Sequence, residues 1–352
     1  MQLGVDAANL LHDRRGMGRY VRALLREWLT PDRSRAHVTL LVPQLFSSSV
    51  AKTLHAQLGI EDVAVQRRGV SRAMDVIWVP WNGLTWVPRC PIVATIHDLW
   101  PFVSPAADAR KRLREQTPYR ATAQQARQII TVSEFTKSEV VRYLQVAPER
   151  ITVIPHGVSR FAEPSRLPAQ LADIGRFVLF VGEAEERKDL ATLCSAMSLM
   201  PQKLRHTTAL VIAGRTASKM PMANAGFRLE AIGEVDDHQL AALYSAAAAF
   251  VLPSRYEGFG MPVLEAMAYA IPVIASDAGA IPEAGGDAAL YFRSGSPWAL
   301  RDRLTEVLTD PRRATELVAR GARRAAAMTW AICAQRTLAV LETVAAKSAP
   351  TP

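Results

Sequence analysis

Strand-length apolar runs alternate with helical patterns along almost the whole chain, and this alternation constrains the fold more than any other feature. Six runs come first: Gln2–Ala8, His37–Pro43, Val76–Val79, Ile92–His97, Gln128–Val132 and Ile151–Pro155. Five more follow: Phe177–Val181, Ala209–Ala213, Ala249–Leu252, Pro272–Ala275 and Ala289–Phe292. Helical patterns lie between them. Val21, Leu24, Leu25, Trp28 and Leu29, for example, recur at i, i+3, i+4, i+7 and i+8, which places them on one buried stripe of a helix. Repeated strand–helix alternation predicts an α/β protein with parallel sheets covered on both faces. The polar, Pro-containing stretch Ser159–Gly175 separates the two sets. It predicts two Rossmann-like, doubly wound domains, residues 1–158 and 159–330. The final helical pattern, Trp330–Val344, can belong to either domain, and a helix over about residues 331–346 is expected to pack back on the first.

Composition excludes several classes. A chain with 49% hydrophobic and 21% charged residues has the profile of an ordinary globular protein. The opening Met1–Asp6 lacks a basic segment followed by an apolar one, so no signal peptide is expected. The longest apolar stretch, around Ala246–Leu252, is too short to span a bilayer. Cys90, Cys194 and Cys333 are scattered, which suits reduced thiols and no metal motif. These features predict a cytoplasmic protein, or one resting peripherally on the inner face of the plasma membrane. Of the net charge of +9, residues 1–158 carry +8, from 21 Lys and Arg against 13 Asp and Glu. Part of it sits in Arg110-Lys111-Arg112-Leu113-Arg114, with Arg120 and Arg127 beyond. That run is either a solvated helix face or an attraction for anionic headgroups or a lipid diphosphate. No aromatic–basic interleaving accompanies it, so nucleic acid is not an expected partner.

The sharpest motif is Pro253-Ser254-Arg255-Tyr256-Glu257-Gly258-Phe259-Gly260-Met261-Pro262-Val263-Leu264-Glu265, between an apolar strand and an apolar helix. Pro262 fits a first helical turn, where its missing N–H costs nothing. Gly258 and Gly260 permit a backbone path that a Cβ would obstruct. Such a loop aims bare N–H groups and the positive end of a helix at its guest, for which a diphosphate is the natural choice. Glu265 is expected in the first helical turn, placed for ribose hydroxyls, and Glu257 before it, facing a transferred sugar. In the N-terminal half, Arg14-Arg15-Gly16-Met17-Gly18-Arg19-Tyr20 forms a glycine-rich strand-to-helix junction. Thr95-Ile96-His97-Asp98-Leu99 ends a strand, and Ser133–Thr136 reads as an N-cap and helix start. There is no Asp-x-Asp motif at a strand end and no cluster of metal ligands.

Glu257 and Glu265 resemble the Glu-x7-Glu signature of the retaining GT-B glycosyltransferases of family 4. The resemblance extends over nearly the whole chain, through Ile151–Val158, Phe180-Val181-Gly182 with Arg187-Lys188, Gly233–Leu240, Ile271–Ser276 and Ile281-Pro282-Glu283. It implies a GT-B fold, two Rossmann-like domains facing a central cleft, with acceptor bound by the first and nucleotide-sugar by the second. It further implies that Arg187 and Lys188 neutralise the donor diphosphate, that the Val235 backbone meets the nucleobase and that Glu265 holds the ribose. Glu257, with backbone groups of Gly258, Phe259, Gly260 and Met261, would bind the donor sugar. Gly16 and Gly18 would close over the diphosphate, His97 would act in the active site, and Tyr20 and Asp98 would lie on the acceptor side. Glu183 departs from the family, many of whose members carry Arg there; it must point away from the diphosphate or be compensated by Arg187.

The activity so implied is retaining hexosyl transfer without a cofactor or metal, in bacterial polysaccharide biosynthesis. The acceptor would be a glycan or a polyprenyl-diphosphate carrier. Pro155-His156-Gly157-Val158 and His97-Asp98-Leu99 look like mannose-transferring members, which favours GDP-mannose, with UDP-linked glucose or N-acetylglucosamine as the alternative. A same-face, oxocarbenium-like substitution is expected, and a double displacement through Glu257 is the rival route. A non-hydrolysing sugar-nucleotide epimerase and a catalytically idle sugar-nucleotide-binding protein share the architecture.

Overall fold

We describe a computed structural model of the chain over residues 1–13, 16–30, 36–43, 48–59, 63–69, 74–215 and 226–348. Arg14 and Arg15 of the glycine-rich junction lie outside the described residues. The chain divides into two units, Met1–Gly157 with Thr329–Pro352, and Val158–Met328.

The first unit holds a parallel sheet of seven strands: β1 (Gln2–Asp6), β2 (His37–Val42), β3 (Ala64–Arg67), β4 (Val76–Val79), β5 (Ile92–Ile96), β6 (Gln128–Thr131) and β7 (Ile151–Val153). Their order is β3-β2-β1-β4-β5-β6-β7. The second unit holds six: β8 (Arg176–Val181), β9 (Thr208–Ala213), β10 (Leu229–Gly233), β11 (Ala249–Leu252), β12 (Val273–Ser276) and β13 (Ala289–Phe292), in the order β10-β9-β8-β11-β12-β13. Each sheet reverses its winding once, between β1 and β4 and between β8 and β11, which opens a crevice beyond the carboxyl ends of those strands. Both sequence motifs with glycine-rich turns leave their strands at these switch points.

The eleven expected strands are all present, with ends within about two residues of the apolar runs. Two strands were not expected, β3 and β10. Each lies at a sheet edge and is only partly buried, so neither shows a continuous apolar run. Central β4, β9 and β11 are buried at every residue. The helix Gly16–Leu29 buries Tyr20, Val21, Leu24, Leu25 and Trp28. The indole nitrogen of Trp28 donates to the Ala334 carbonyl at 3.0 Å, which ties this helix to the C-terminal helix Trp330–Ser348. No helix among the described residues is long and apolar enough to cross a membrane.

Candidate active site

In the second unit two of the three segments expected to bind donor leave adjacent strands, β8 and β11, and the third follows the edge strand β10. After β11, the chain reaches Gly260 with φ +101°, a left-handed conformation that favours glycine, and enters the helix Met261–Ala268. Pro262 lies in its first turn as the sequence predicts. Glu265 does not: Met261 is the first helical residue, so Glu265 begins the second turn. It is buried there, and the Tyr244 hydroxyl donates to its Oε2 at 3.1 Å. Tyr244 stacks on Tyr269, with ring centroids 5.6 Å apart.

Glu257 is buried, and three side chains approach its carboxylate. Oε1 accepts from Lys188 Nζ at 2.6 Å and from the Ser254 hydroxyl at 2.7 Å, and Oε2 lies 3.6 Å from Arg187 Nη1. Burial alone would raise its pKa. The charges of Lys188 and Arg187 and the two hydrogen bonds outweigh that and hold it below the ordinary carboxylate range. Glu257 is therefore an anion that offsets part of the charge of two cations, rather than an acid awaiting a proton. Its backbone is fixed from behind: Ala280 N–H donates to the Glu257 carbonyl at 3.0 Å. A Cβ on Gly279, where φ is +58°, would lie 2.7 Å from that carbonyl oxygen.

The remaining second-unit candidates lie on three segments. Arg187 and Lys188 occupy a 3-10 turn, Glu186–Lys188, and Arg187 Nε also donates to Glu185 at 2.6 Å. Gly258 and Phe259 are buried and Met261 half-buried. Val235 is half-buried immediately before Asp236, which caps the helix Asp237–Ala246 through a capping box with Gln239. Glu183 pairs with Arg215 at 3.1 Å, so a cation from the end of β9 offsets the departure from the family pattern. Ser254 and Tyr244 are partners that sequence reasoning missed, because a hydroxyl in a loop or helix gives no signal until the fold brings a carboxylate to it.

In the first unit, His97 is buried with both ring nitrogens engaged. Nε2 faces the Pro80 carbonyl at 2.9 Å, which requires a proton on that nitrogen. Nδ1, 3.2 Å from His156 Nε2, then accepts the His156 proton. Burial lowers the pKa of both rings, and the neighbouring His97 lowers that of His156 further. The backbone N–H of His97 donates to Asn82 Oδ1 at 2.6 Å, another contact invisible in the sequence. His97 thus secures the end of β5 and turns neither ring nitrogen outward.

Tyr20 corrects the sequence reading. It is fully buried, against the rings of Trp78, His97, His156 and Trp330, and presents no face to an acceptor. Burial drives its phenol pKa far above the ordinary value. Asp98 accepts from Trp100 N–H at 3.0 Å and from Asn82 Nδ2 at 3.5 Å. Gly16 is exposed at the start of its helix. Gly18 is buried where a Cβ would stand 1.8 Å from the Asp13 carbonyl oxygen, so packing of the junction by itself requires glycine. At the end of β1, buried Asp6 holds Arg68 at 2.6 Å and the Trp86 indole at 2.9 Å, which fixes the strand edge beside this junction. Among the described residues, no group of three or more His, Cys, Asp or Glu side chains could hold a metal ion.

Comparison with known proteins agrees with this architecture. The family described as glycosyl transferases group 1 matches residues 166–324, and glycosyltransferase family 4 matches residues 64–160. The chain is 32% identical over 263 residues to the O-antigen chain mannosyltransferase B of Escherichia coli, covering 70% of this chain and 68% of that protein. It is 28% identical over 329 residues to the MMP alpha-(1->4)-mannosyltransferase of Mycolicibacterium hassiacum, covering 87% of this chain and 76% of that one. Among solved structures, a sucrose-phosphate synthase from Thermosynechococcus elongatus superposes with a TM-score of 0.72 at 20% identity, over 99% of this chain and 100% of the other. Two parallel sheets of this topology form the GT-B fold, and the chain belongs to the family 4 glycosyltransferases, as a mannosyltransferase-like member.

Proposed function

We propose that this glycosyltransferase moves a mannosyl group from GDP-mannose to a glycan or polyprenyl-diphosphate-linked acceptor in bacterial polysaccharide assembly. In this reading the anomeric configuration is retained and no metal is needed. The observation that carries it is the buried Lys188–Glu257 pair with Arg187 alongside, at the entry to the helix Met261–Ala268. Two adjacent cations and the N–H groups of a helix start suit a departing diphosphate, whose charge a metal would otherwise offset. Mannose is favoured by the activities for which the two relatives are named, and GDP by the mannosyl-type motifs around His97 and His156.

The chemistry then runs as follows. The bond from the anomeric carbon to the phosphate oxygen breaks while Lys188 and Arg187 take up the growing negative charge. The acceptor hydroxyl attacks from the same face, and its proton passes to the departing phosphate oxygen. Glu257 receives hydroxyls of the donor sugar and Glu265 those of the ribose. Attack by Glu257 itself is disfavoured, since Lys188 and Ser254 already occupy Oε1 and the charges of Lys188 and Arg187 damp the nucleophilicity of the carboxylate. The excess of basic residues in the first 158 positions supports peripheral contact with an anionic, cytoplasm-facing membrane.

The test is to incubate the protein with GDP-mannose, UDP-glucose and UDP-N-acetylglucosamine, each with and without EDTA, and follow sugar release and transfer to lipid-linked glycans. Turnover of GDP-mannose that survives EDTA supports the reading. Turnover of a UDP-sugar instead reassigns the donor, and loss of turnover in EDTA overturns the metal-free mechanism. Conversion of UDP-N-acetylglucosamine to an epimer without acceptor would replace transfer by epimerisation.

A further inference from the structure

A second ion pair joins the turn that carries Arg187 and Lys188 to the segment that carries Glu257. Lys188 is followed by Asp189 at φ +47°, a left-handed conformation that few residues with a side chain adopt. The Asp189 carboxylate is buried. It accepts from Arg255 Nε at 2.8 Å, from Arg255 Nη2 at 3.3 Å and from the Thr192 hydroxyl at 2.7 Å. The backbone N–H of the same Arg255 donates to the Arg187 carbonyl at 2.7 Å. Arg255 therefore grips the turn on both sides of Lys188, ahead of it through the main chain and behind it through the guanidinium. Its neighbour Ser254 holds Glu257 Oε1, and the Ser276 hydroxyl in turn holds the Ser254 carbonyl.

The Arg255 side chain is 60% exposed, so burial of apolar surface does not explain its place. In stability terms the pair supplies a counter-charge for the buried Asp189 carboxylate. It also fixes geometry, because a planar fork meeting a buried carboxylate tolerates little rotation. We propose that Arg255 is a positioning residue which, through Asp189, sets the Lys188 ammonium against Glu257 and so fixes the frame in which the donor diphosphate departs. This rests on the reading of Lys188, Arg187 and Glu257 as donor-binding groups.

The experiment measures kcat, donor KM and thermal midpoint for Arg255→Met, Arg255→Lys, Asp189→Gly and the double variant Arg255→Met/Asp189→Gly, with Lys188→Ala as the reference. Glycine adopts the left-handed conformation without cost, so Asp189→Gly removes the carboxylate and keeps the turn. Arg255→Met and Asp189→Gly are each expected to lower kcat by about 10-fold or more; Arg255→Met, which leaves the buried Asp189 carboxylate without its counter-charge, lowers the thermal midpoint too, whereas Asp189→Gly, which leaves only the exposed Arg255 unpaired, largely keeps it. The double variant should be no worse than the poorer single one, since both remove one interaction. Arg255→Lys should fall between, because it restores the charge without the fork. The proposal is overturned if both single variants keep kcat within about twofold of wild type while Lys188→Ala is inactive, or if kcat falls only in step with the midpoint. A fully active Lys188→Ala sinks the donor-site reading itself, and this inference with it.

Discussion

The ammonium of Lys188 lies 2.6 Å from Oε1 of Glu257, in a pair whose side chains are only 11% and 9% exposed. Removing one member of such a pair leaves the other buried without its counter-charge. Lys188→Met and Glu257→Gln are each expected to destabilise the second unit by about 3 kcal/mol. The double variant should recover part of that loss. Urea titration of the three variants checks this, and strictly additive losses would show that the two groups do not interact.

The same pair makes stability depend on acid. Glu257 has a pKa below its ordinary value of 4.5 in the folded chain, so the unfolded chain binds its proton first as the pH falls. Its contribution is complete above that ordinary value and is lost as the pH drops through the lower, folded one. The urea midpoint of the second unit should therefore fall on acidification below pH 4.5, and less so in Glu257→Gln.

In the first unit the titration lies higher. His97 and His156 are held neutral by burial, with folded pKa values below 6.5. Protons bind the unfolded chain first, so stability is complete above pH 6.5 and declines as the pH falls below it. Six of the seven tryptophans (Trp28, Trp78, Trp81, Trp86, Trp100 and Trp330) belong to this unit, so fluorescence reports mainly on it. The fluorescence-detected urea midpoint should drop from about pH 6.5 downward, and His156→Gln, which keeps a donor for His97, should flatten the drop. An equal drop in both proteins would assign it to other groups.

Gly279 buttresses Glu257 from behind. Gly279→Ala places a Cβ against the Glu257 carbonyl in a conformation alanine resists, and should cost about 1–3 kcal/mol of stability. Because the clash is with the backbone of Glu257, donor KM should rise as well. Stability loss with donor KM unchanged would mean that Glu257 does not contact the donor.

Tyr244 offers a gentler probe. Tyr244→Phe removes the hydrogen bond to Glu265 but keeps the stacked ring. Loss of about 1 kcal/mol in ribose binding corresponds to roughly a fivefold rise in donor KM. A change in kcat with KM constant would argue that Glu265 does not hold the ribose.

The fold was largely legible because burial on both faces writes parallel strands as unbroken apolar runs. The edge strands β3 and β10 escaped for the same reason, since half-buried strands need no such run. Glu257 and Glu265 were legible through glycines and a proline at fixed spacing, a local signal. The Asp189–Arg255 pair, the Ser254 hydroxyl and the His97–His156 contact were not, because each joins residues from separate segments whose types are unremarkable alone. Tyr20 misled for a related reason: its position at the end of the glycine-rich junction says nothing of which side of the helix it faces. In the fold that side is the core.

The most direct test of the central claim is calorimetric titration of GDP and of guanosine into wild type and Lys188→Ala. If Lys188 meets the donor diphosphate, GDP affinity falls by about 100-fold or more in the variant while guanosine binding is unchanged. Equal GDP affinity in the two proteins, with both shown to be folded, would contradict the account.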